Sequence, residues 1–289
     1  MNWDDARIFL AFAREGSFGA AAKRLGVQHS TVSRRIHAME SNLAAPLVER
    51  SAHGYVLTQT GRDLRASALR MEQELLAFET ASERQSDEAS GDLTISAIAN
   101  MASTLLMPVF ARFSEAHPKI NLRVDVTNDS VRLSERDADI ALRQTNAPSE
   151  TLIGTRLTTV SSAVYGSVSY CEGVKQGKFA ERWIGVDCCE YHRKWTKDAC
   201  PAADHAFCVD ETSVTAAALR EGLGVGYLPC FLGDSDPALT RFRAPERKHD
   251  LGLWCLYHRD LRDTKRVSLF RAHLSKEIAR IAPLFEGRT

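Results

Sequence analysis

Between Ala20 and Ile36 the chain reads AAAKRLGVQHSTVSRRI: three consecutive alanines, one glycine, then a Ser/Thr/Arg cluster. No other stretch restricts the fold as tightly. Small side chains let one helix approach another closely, and Gly26 supplies the permissive backbone of a turn. Beyond it Val32, Ile36, Met39 and Leu43 recur at spacings of 4, 3 and 4, a single buried stripe on a second helix. Upstream, Trp3–Arg14 carries Ile8, Phe9 and Phe12 on one face, and Ser17 is placed to cap a helix running to Leu25. Downstream, LVER and GYVLT read as two short strands around His53 and Gly54. The pattern predicts a helix-turn-helix.

The remaining face of that second helix decides its use. With Val32, Ile36 and Met39 inward, His29, Ser30, Ser33, Arg34 and His37 face outward. Hydroxyls donate to phosphate oxygens, and arginine binds guanine O6 and N7 bidentately. A helix N-terminus adds free N–H groups and partial positive charge. The whole chain balances 37 Lys and Arg against 37 Asp and Glu, so it is no indiscriminate polycation. Through residue 60, however, Arg7, Arg14, Lys23, Arg24, Arg34, Arg35 and Arg50 outnumber Asp4, Asp5, Glu15, Glu40 and Glu49. A polar face that merely meets solvent is the alternative reading of the same spacing.

From Thr60 to about Glu88 the chain has no proline and no glycine after Gly61. Leu64, Ala68, Met71, Leu75 and Phe78 recur at 4, 3, 4 and 3, the spacing of a helix that pairs with another helix. Leu64, Met71, Leu75 and Phe78 are therefore the candidate dimer seam. A polar run, ERQSDEASGD, follows as a hinge.

The rest alternates. DLTIS, INLRVDV, ADIALR and VGYLP read as strands, while MASTLLMPVFARFSEAHP, DSVRLSERD and TSVTAAALREGLG read as helical. That order implies an α/β unit with a largely parallel sheet, whose ligands bind beyond the carboxyl ends of the strands. The candidate effector contacts are accordingly Asn100, Met101, Ser103, Asn128, Asp129, Arg143, Gln144, Asp210 and Thr212. A helix beginning near Met101–Ser103 would favour a carboxylate, with Arg143 adding charge. Ser, Thr and Asn also cap helices with no ligand present.

Several classes recede. The N-terminus MNWDDARIF places acids where a secretory signal needs basic residues, and no apolar run approaches the roughly 20 residues of a membrane span. The seven cysteines (Cys171, Cys188, Cys189, Cys200, Cys208, Cys230, Cys255) form no C-x-x-C pair, against a zinc site or disulfide framework. A reducing cytoplasm, no membrane partner, no metal and no cofactor are expected. His192 lies near Cys188 and Cys189, but no supporting catalytic motif accompanies them, so no enzyme is expected. A pure solute-binding receptor would leave the first 60 residues without a task.

FGAAAKRLGVQHSTVSRRIHAMESNLAAPLVER followed by GYVLTQTG, with GDLTIS, FSEAHPKINL, ADIALR and EGLGVGYLP further on, resembles a LysR-type transcriptional regulator along essentially all 289 residues. The resemblance implies a winged helix-turn-helix over residues 1–60 and a dimerising linker helix and hinge over 61–90. A two-lobed regulatory domain of the periplasmic-binding-protein (type 2) kind would occupy 91–289, with lobe I at about 91–160 and 266–289 and lobe II at about 161–265. Implied partners are promoter DNA, a small-molecule effector and RNA polymerase, bound by a homodimer or homotetramer of a bacterial protein. His29, Ser30, Ser33 and Arg34 match the family's contact positions, and the set extends to Gln28, Thr31, Arg35 and, on the wing, His53.

The chain departs from the family at four places. His53 stands where many members place arginine in the minor groove, and Gln28 where a serine cap is common. Ala44 and Val48 replace a frequent glycine and phenylalanine, which reads as packing drift. Peroxide sensors in the family use a cysteine pair, so thiol-redox sensing through Cys200 and Cys208 is the alternative to a small-molecule effector.

Overall fold

The computed structural model describes residues 2–51, 54–83, 89–127, 138–150, 152–187, 189–200 and 207–288. The chain divides into two compact units, Met1–Gln85 and Ser86–Thr289.

In the first unit, α1 (Trp3–Glu15) opens on a reciprocal cap: Asn2 and Asp5 each accept the other's backbone N–H at 2.9 Å. Ser17 caps α2 (Phe18–Leu25), and Gly26 ends it in the left-handed region at φ 66°, both as the sequence predicts. The next helix, α3 (His29–Leu43), buries Val32, Ile36 and Met39 against Phe9, Phe12, Ala21 and Ala22. Leu43, expected in the same stripe, is instead exposed, because the last turn of α3 runs past the core. Strands β1 (Val48–Ser51) and β2 (Gly54–Leu57) form an antiparallel wing with Val48 opposite Leu57. Glu40 fixes its base by accepting the N–H groups of Leu47 and Val48 at 2.8 and 3.2 Å.

The long helix α4 (Gln59–Glu83) starts against that base. At Gly61 a Cβ would lie 2.1 Å from the Leu47 carbonyl oxygen, so only glycine fits. Leu64, placed by its spacing in the dimer seam, is buried in the helix-turn-helix core. Ala68 is buried against Ala6 and Leu10 of α1. Arg14 and Glu72 tie α1 to α4 at 2.7 Å. Met71, Leu75 and Phe78 are exposed, Phe78 at 72%.

The second unit has two lobes. Lobe I is built on a five-stranded sheet in the order β4-β3-β5-β12-β6. Its strands are β3 (Gly91–Ala97), β4 (Ile120–Val126), β5 (Ile140–Thr145), β6 (Ile153–Val160) and β12 (Leu251–Tyr257). A continuous helical run links β3 to β4: α5 (Ala99–Met101), a π-helical turn (Ala102–Leu106) and α6 (Met107–Ala116). Lobe II carries β7 (Ser162–Ser167), α7 (Val168–Lys175), β8 (Gly185–Val186), α8 (Glu190–Ala199) and β9 (Cys208–Val209). It continues with α9 (Thr212–Arg220), β10 (Gly226–Pro229), α10 (Cys230–Gly233) and β11 (Leu239–Arg243). Its main sheet runs β10-β7-β11. The final helix, α11 (Lys265–Phe285), returns to lobe I, where Phe270, Leu274 and Ile278 join the core under β3 and β5.

Two expectations change. The sheets are mixed: β3 pairs β4 and β5 in parallel, but β12 runs antiparallel to β5 and β6, and lobe II's main sheet is antiparallel. Lobe I also resumes at β12, from Leu251, well before residue 266. The cause is one return strand, inserted between β5 and β6, whose partners lie about a hundred residues upstream. Asn146 marks the crossing, donating to Asp250 O at 2.8 Å and accepting from Gly252 N–H at 3.0 Å. The expected helical piece DSVRLSERD lies outside the described residues.

Candidate functional site

In the N-terminal unit the site is the outer side of α3. Its buried row fixes the helix rotation, which turns Gln28, His29, Ser30 and Arg34 to solvent and leaves Thr31 and Ser33 half-buried at the edge. Gln28 is the N-cap, yet its side chain accepts none of the first-turn N–H groups. Thr31 N–H turns back to Gln28 O at 2.9 Å, which leaves the N–H groups of His29 and Ser30 for an anionic partner. Arg34 has no ion pair among the described residues. Arg35 differs: its guanidinium turns back to Asp5 at 2.8 Å and Asp4 at 3.6 Å, so it pins α3 to α1. The Arg7 guanidinium, bonded to Asp4, holds that carboxyl below its ordinary range, with smaller help from the charge of Arg35. His53 lies outside the described residues.

Beside this face, α2, α3 and the wing enclose an open groove of about 350 Å³. Phe18 is its floor. Tyr55 stands edge-on to that ring at 4.9 Å, and His29 and His37 sit over it at 5.8 and 6.5 Å. His37 donates through Nδ1 to Ser33 O at 2.7 Å, which leaves the opposite nitrogen facing outward. The sequence named His37 but gave no sign of Tyr55, because only tertiary contact brings the wing to α3.

In the C-terminal unit, the α5 end of the helical run after β3 has no side-chain cap. Asn100 sits in that first turn, 3% exposed, with no hydrogen-bond partner for Oδ1. Met101 is in the core, half-buried Gln144 has Nε2 3.9 Å from its sulfur, and exposed Ser103 donates back to Ala99 O at 3.0 Å. The π-helical turn that follows widens the backbone, a distortion common at functional sites. Arg143 is buried at 6% exposure and donates to Ser96 Oγ at 2.7 Å and to Ser96 O at 3.2 Å. It thus fixes a positive charge near the carboxyl ends of β3 and β5. Asn128 and Asp129 lie outside the described residues.

The second crossover is built oppositely. Thr212 is buried at the start of α9 and Asp210 is exposed, but the sequence reading missed Glu211 between them. Its carboxylate accepts the N–H groups of Ser213 and Val214 at 2.6 and 3.0 Å, so this helix end already holds an anion from its own chain. Glutamate is not a favoured cap, and ETS carried no local signal for the role.

Among the described residues no group of three or more His, Cys, Asp or Glu could hold a metal ion, and no helix is long and apolar enough to cross a membrane. Cys200 is half-buried at the end of α8 and Cys208 exposed on β9; residues 201–206 between them lie outside the described residues.

Known proteins share this organisation. The model of the bacterial regulatory helix-turn-helix protein, lysR family, matches residues 3–62, and that of the LysR substrate binding domain matches residues 86–279. An HTH-type transcriptional regulator of Xanthomonas campestris is 30% identical over 169 residues, covering 58% of this chain and 49% of that protein. The chain thus spans about half the length of that relative. The regulator CrgA of Neisseria meningitidis is 25% identical over 292 residues, covering 96% of this chain and 97% of CrgA. Among solved structures, a full-length OxyR from Pseudomonas aeruginosa gives a TM-score of 0.70 at 16% identity, covering 99% of this chain and 97% of that one. At that identity the likeness is one of fold. A helix-turn-helix with an open reading face and a two-lobed unit matched along most of its length together place the chain in the LysR family of transcriptional regulators.

Proposed function

We propose that this regulator reads promoter DNA through His29, Ser30, Ser33 and Arg34, and that a small carboxylate bound in lobe I modulates that reading. The observation that carries the DNA contact is the uncapped N-terminus of α3, set on a rigid core row with Arg34 exposed beside it. The wing, β1 and β2, lies along the same unit for a flanking contact. Exposed Met71, Leu75 and Phe78 supply an apolar face for a second copy, and a dimer reads two half-sites about 34 Å apart. Dimers or tetramers of this kind act at the promoter beside RNA polymerase, in the cytoplasm.

The carboxylate follows from the difference between the two crossover helices. The α5 end is uncapped, near the buried Arg143 cation, and carries a buried Asn100 acceptor; the α9 end is filled by Glu211. A carboxylate that also offers a hydrogen-bond donor satisfies the first arrangement.

The test is selection of genomic fragments by the full-length protein, followed by footprinting with and without a panel of aliphatic and aromatic acids. The expected result is a two-part protected site whose occupancy or extent changes with one class of acid. Uniform retention of all fragments, with salt-dependent but sequence-independent affinity, overturns the promoter reading. A specific footprint that no carboxylate alters overturns the effector reading alone.

A further inference from the structure

Six cysteines lie among the described residues, and their surroundings differ sharply. Burial pushes the Cys255 thiol up to about 12 and raises those of Cys171 and Cys230, so these three stay protonated. Cys200 is half-buried at the C-terminal end of α8. Cys208 is exposed on β9. Cys189 has a different setting. It is the N-cap of the ten-residue α8, and its side chain makes no capping bond, so the positive end of the helix faces the sulfur. One turn along, His192 Nδ1 lies 3.2 Å from Cys189 Sγ. That imidazole is held in place: it is 5% exposed and stands edge-on to Trp195 at 5.1 Å.

A thiol and an imidazole in hydrogen-bond contact, at a helix end and half open to solvent, form a nucleophile with its base. The charged neighbours do not cancel this. Asp187, at the end of β8, is paired with Arg193, which leaves Glu190 as the opposing charge, on the exposed side of the first turn. From the other side, His249 and Tyr227 meet Trp195, at 4.8 and 5.8 Å between rings.

We infer that Cys189 is a covalent capture site for soft electrophiles of the α,β-unsaturated carbonyl class, with His192 as its base. His192 Nδ1 accepts the thiol proton as Sγ attacks the β-carbon of the acceptor. The S–C bond forms while the C=C π pair moves to the α-carbon, and the imidazolium returns the proton there. All atoms stay in the adduct, and neither oxidant nor leaving group is needed. Tyr191, two residues along from Cys189, has its hydroxyl 3.4 Å from Thr145 Oγ1 at the end of β5, so the adduct forms two residues from a contact between the lobes.

The test uses the full-length protein and N-ethylmaleimide, itself an electrophile of this class, with peptide mapping in a Cys188→Ser background. Exposed Cys208 is the internal reference. At about pH 6.5 Cys189 should react at least about tenfold faster than Cys208, because an unassisted thiol loses about tenfold in rate per pH unit below about 8.5. His192→Gln should return Cys189 to the profile of Cys208. Equal rates at the two thiols, the same tenfold-per-unit slope for both, or an unchanged Cys189 rate in folded His192→Gln overturns the inference. If that variant does not fold, the pH slope of the unaltered Cys189 decides alone. This outcome is independent of the DNA and carboxylate readings.

Discussion

At the scale of single residues, much of the N-terminal unit was legible because its signals are local. Ser17 and Gly26 do what a cap and a left-handed turn residue do, and neither needs a distant partner. Ala44 was misread. It looked like packing drift, but it ends α3 at φ 51°, the one non-glycine in the left-handed region among the described residues. The side chain there costs about 1–2 kcal/mol, partly offset by the looser unfolded chain that glycine brings. Ala44→Gly should therefore stabilise the unit by about 0.5–1 kcal/mol, read as a higher urea midpoint with unchanged slope. Arg35 pairs with Asp4 and Asp5 across about thirty residues, a contact that spacing on α3 does not reveal. Its neighbour Arg34 stays outward, so Arg34→Ala should cost about 1–3 kcal/mol of specific affinity if it grips a guanine. A footprinting titration checks this: affinity for non-specific DNA should fall much less than affinity for the selected site.

At the scale of elements, the heptad row on α4 shows what a periodic pattern does and does not encode. Spacing defined one apolar face correctly, but it carried no information on which partner covers each part. The first turns meet α1 of the same chain through Leu64 and Ala68, and from Met71, next to the Arg14–Glu72 pair, the face opens at Met71, Leu75 and Phe78. The two ends should fail differently when mutated. Leu64→Ala removes buried volume and should cost the N-terminal unit about 2–4 kcal/mol, measured by urea unfolding. Leu75→Glu with Phe78→Glu should leave that unit folded and shift sedimentation from dimer toward monomer. A double variant that sediments as the intact dimer would take α4 out of the interface. Strand β12 was illegible for the complementary reason. Its pairing with β5 and β6 is set by contacts about a hundred residues away, so neither sheet membership nor direction shows locally.

At the scale of the whole molecule, the two-lobed design puts titratable groups where chain crossings and aromatic packing converge. His249 immediately precedes the return to lobe I and is 4% exposed, packed between Trp195 at 4.8 Å and Tyr227 at 5.1 Å. Burial lowers its pKa below the ordinary histidine value, more strongly than the nearby carboxylate of Glu246 raises it. Folding therefore favours the neutral ring. Above about pH 6.5 neither state is protonated and the full stability is present. As pH falls through that value the unfolded chain takes up the proton first, so stability is lost until the lowered folded-state pKa is passed. Urea unfolding of the C-terminal unit, followed by tryptophan fluorescence, should show a midpoint that drops between about pH 7 and pH 5. His249→Phe keeps the aromatic packing and removes the proton, so its midpoint should fall less over the same range. Equal slopes in the two proteins would assign the acid sensitivity elsewhere, to groups such as Glu277. Its carboxyl is held low chiefly by its bond from Arg112, with Arg280 adding to the effect, and it therefore loses stability only at lower pH.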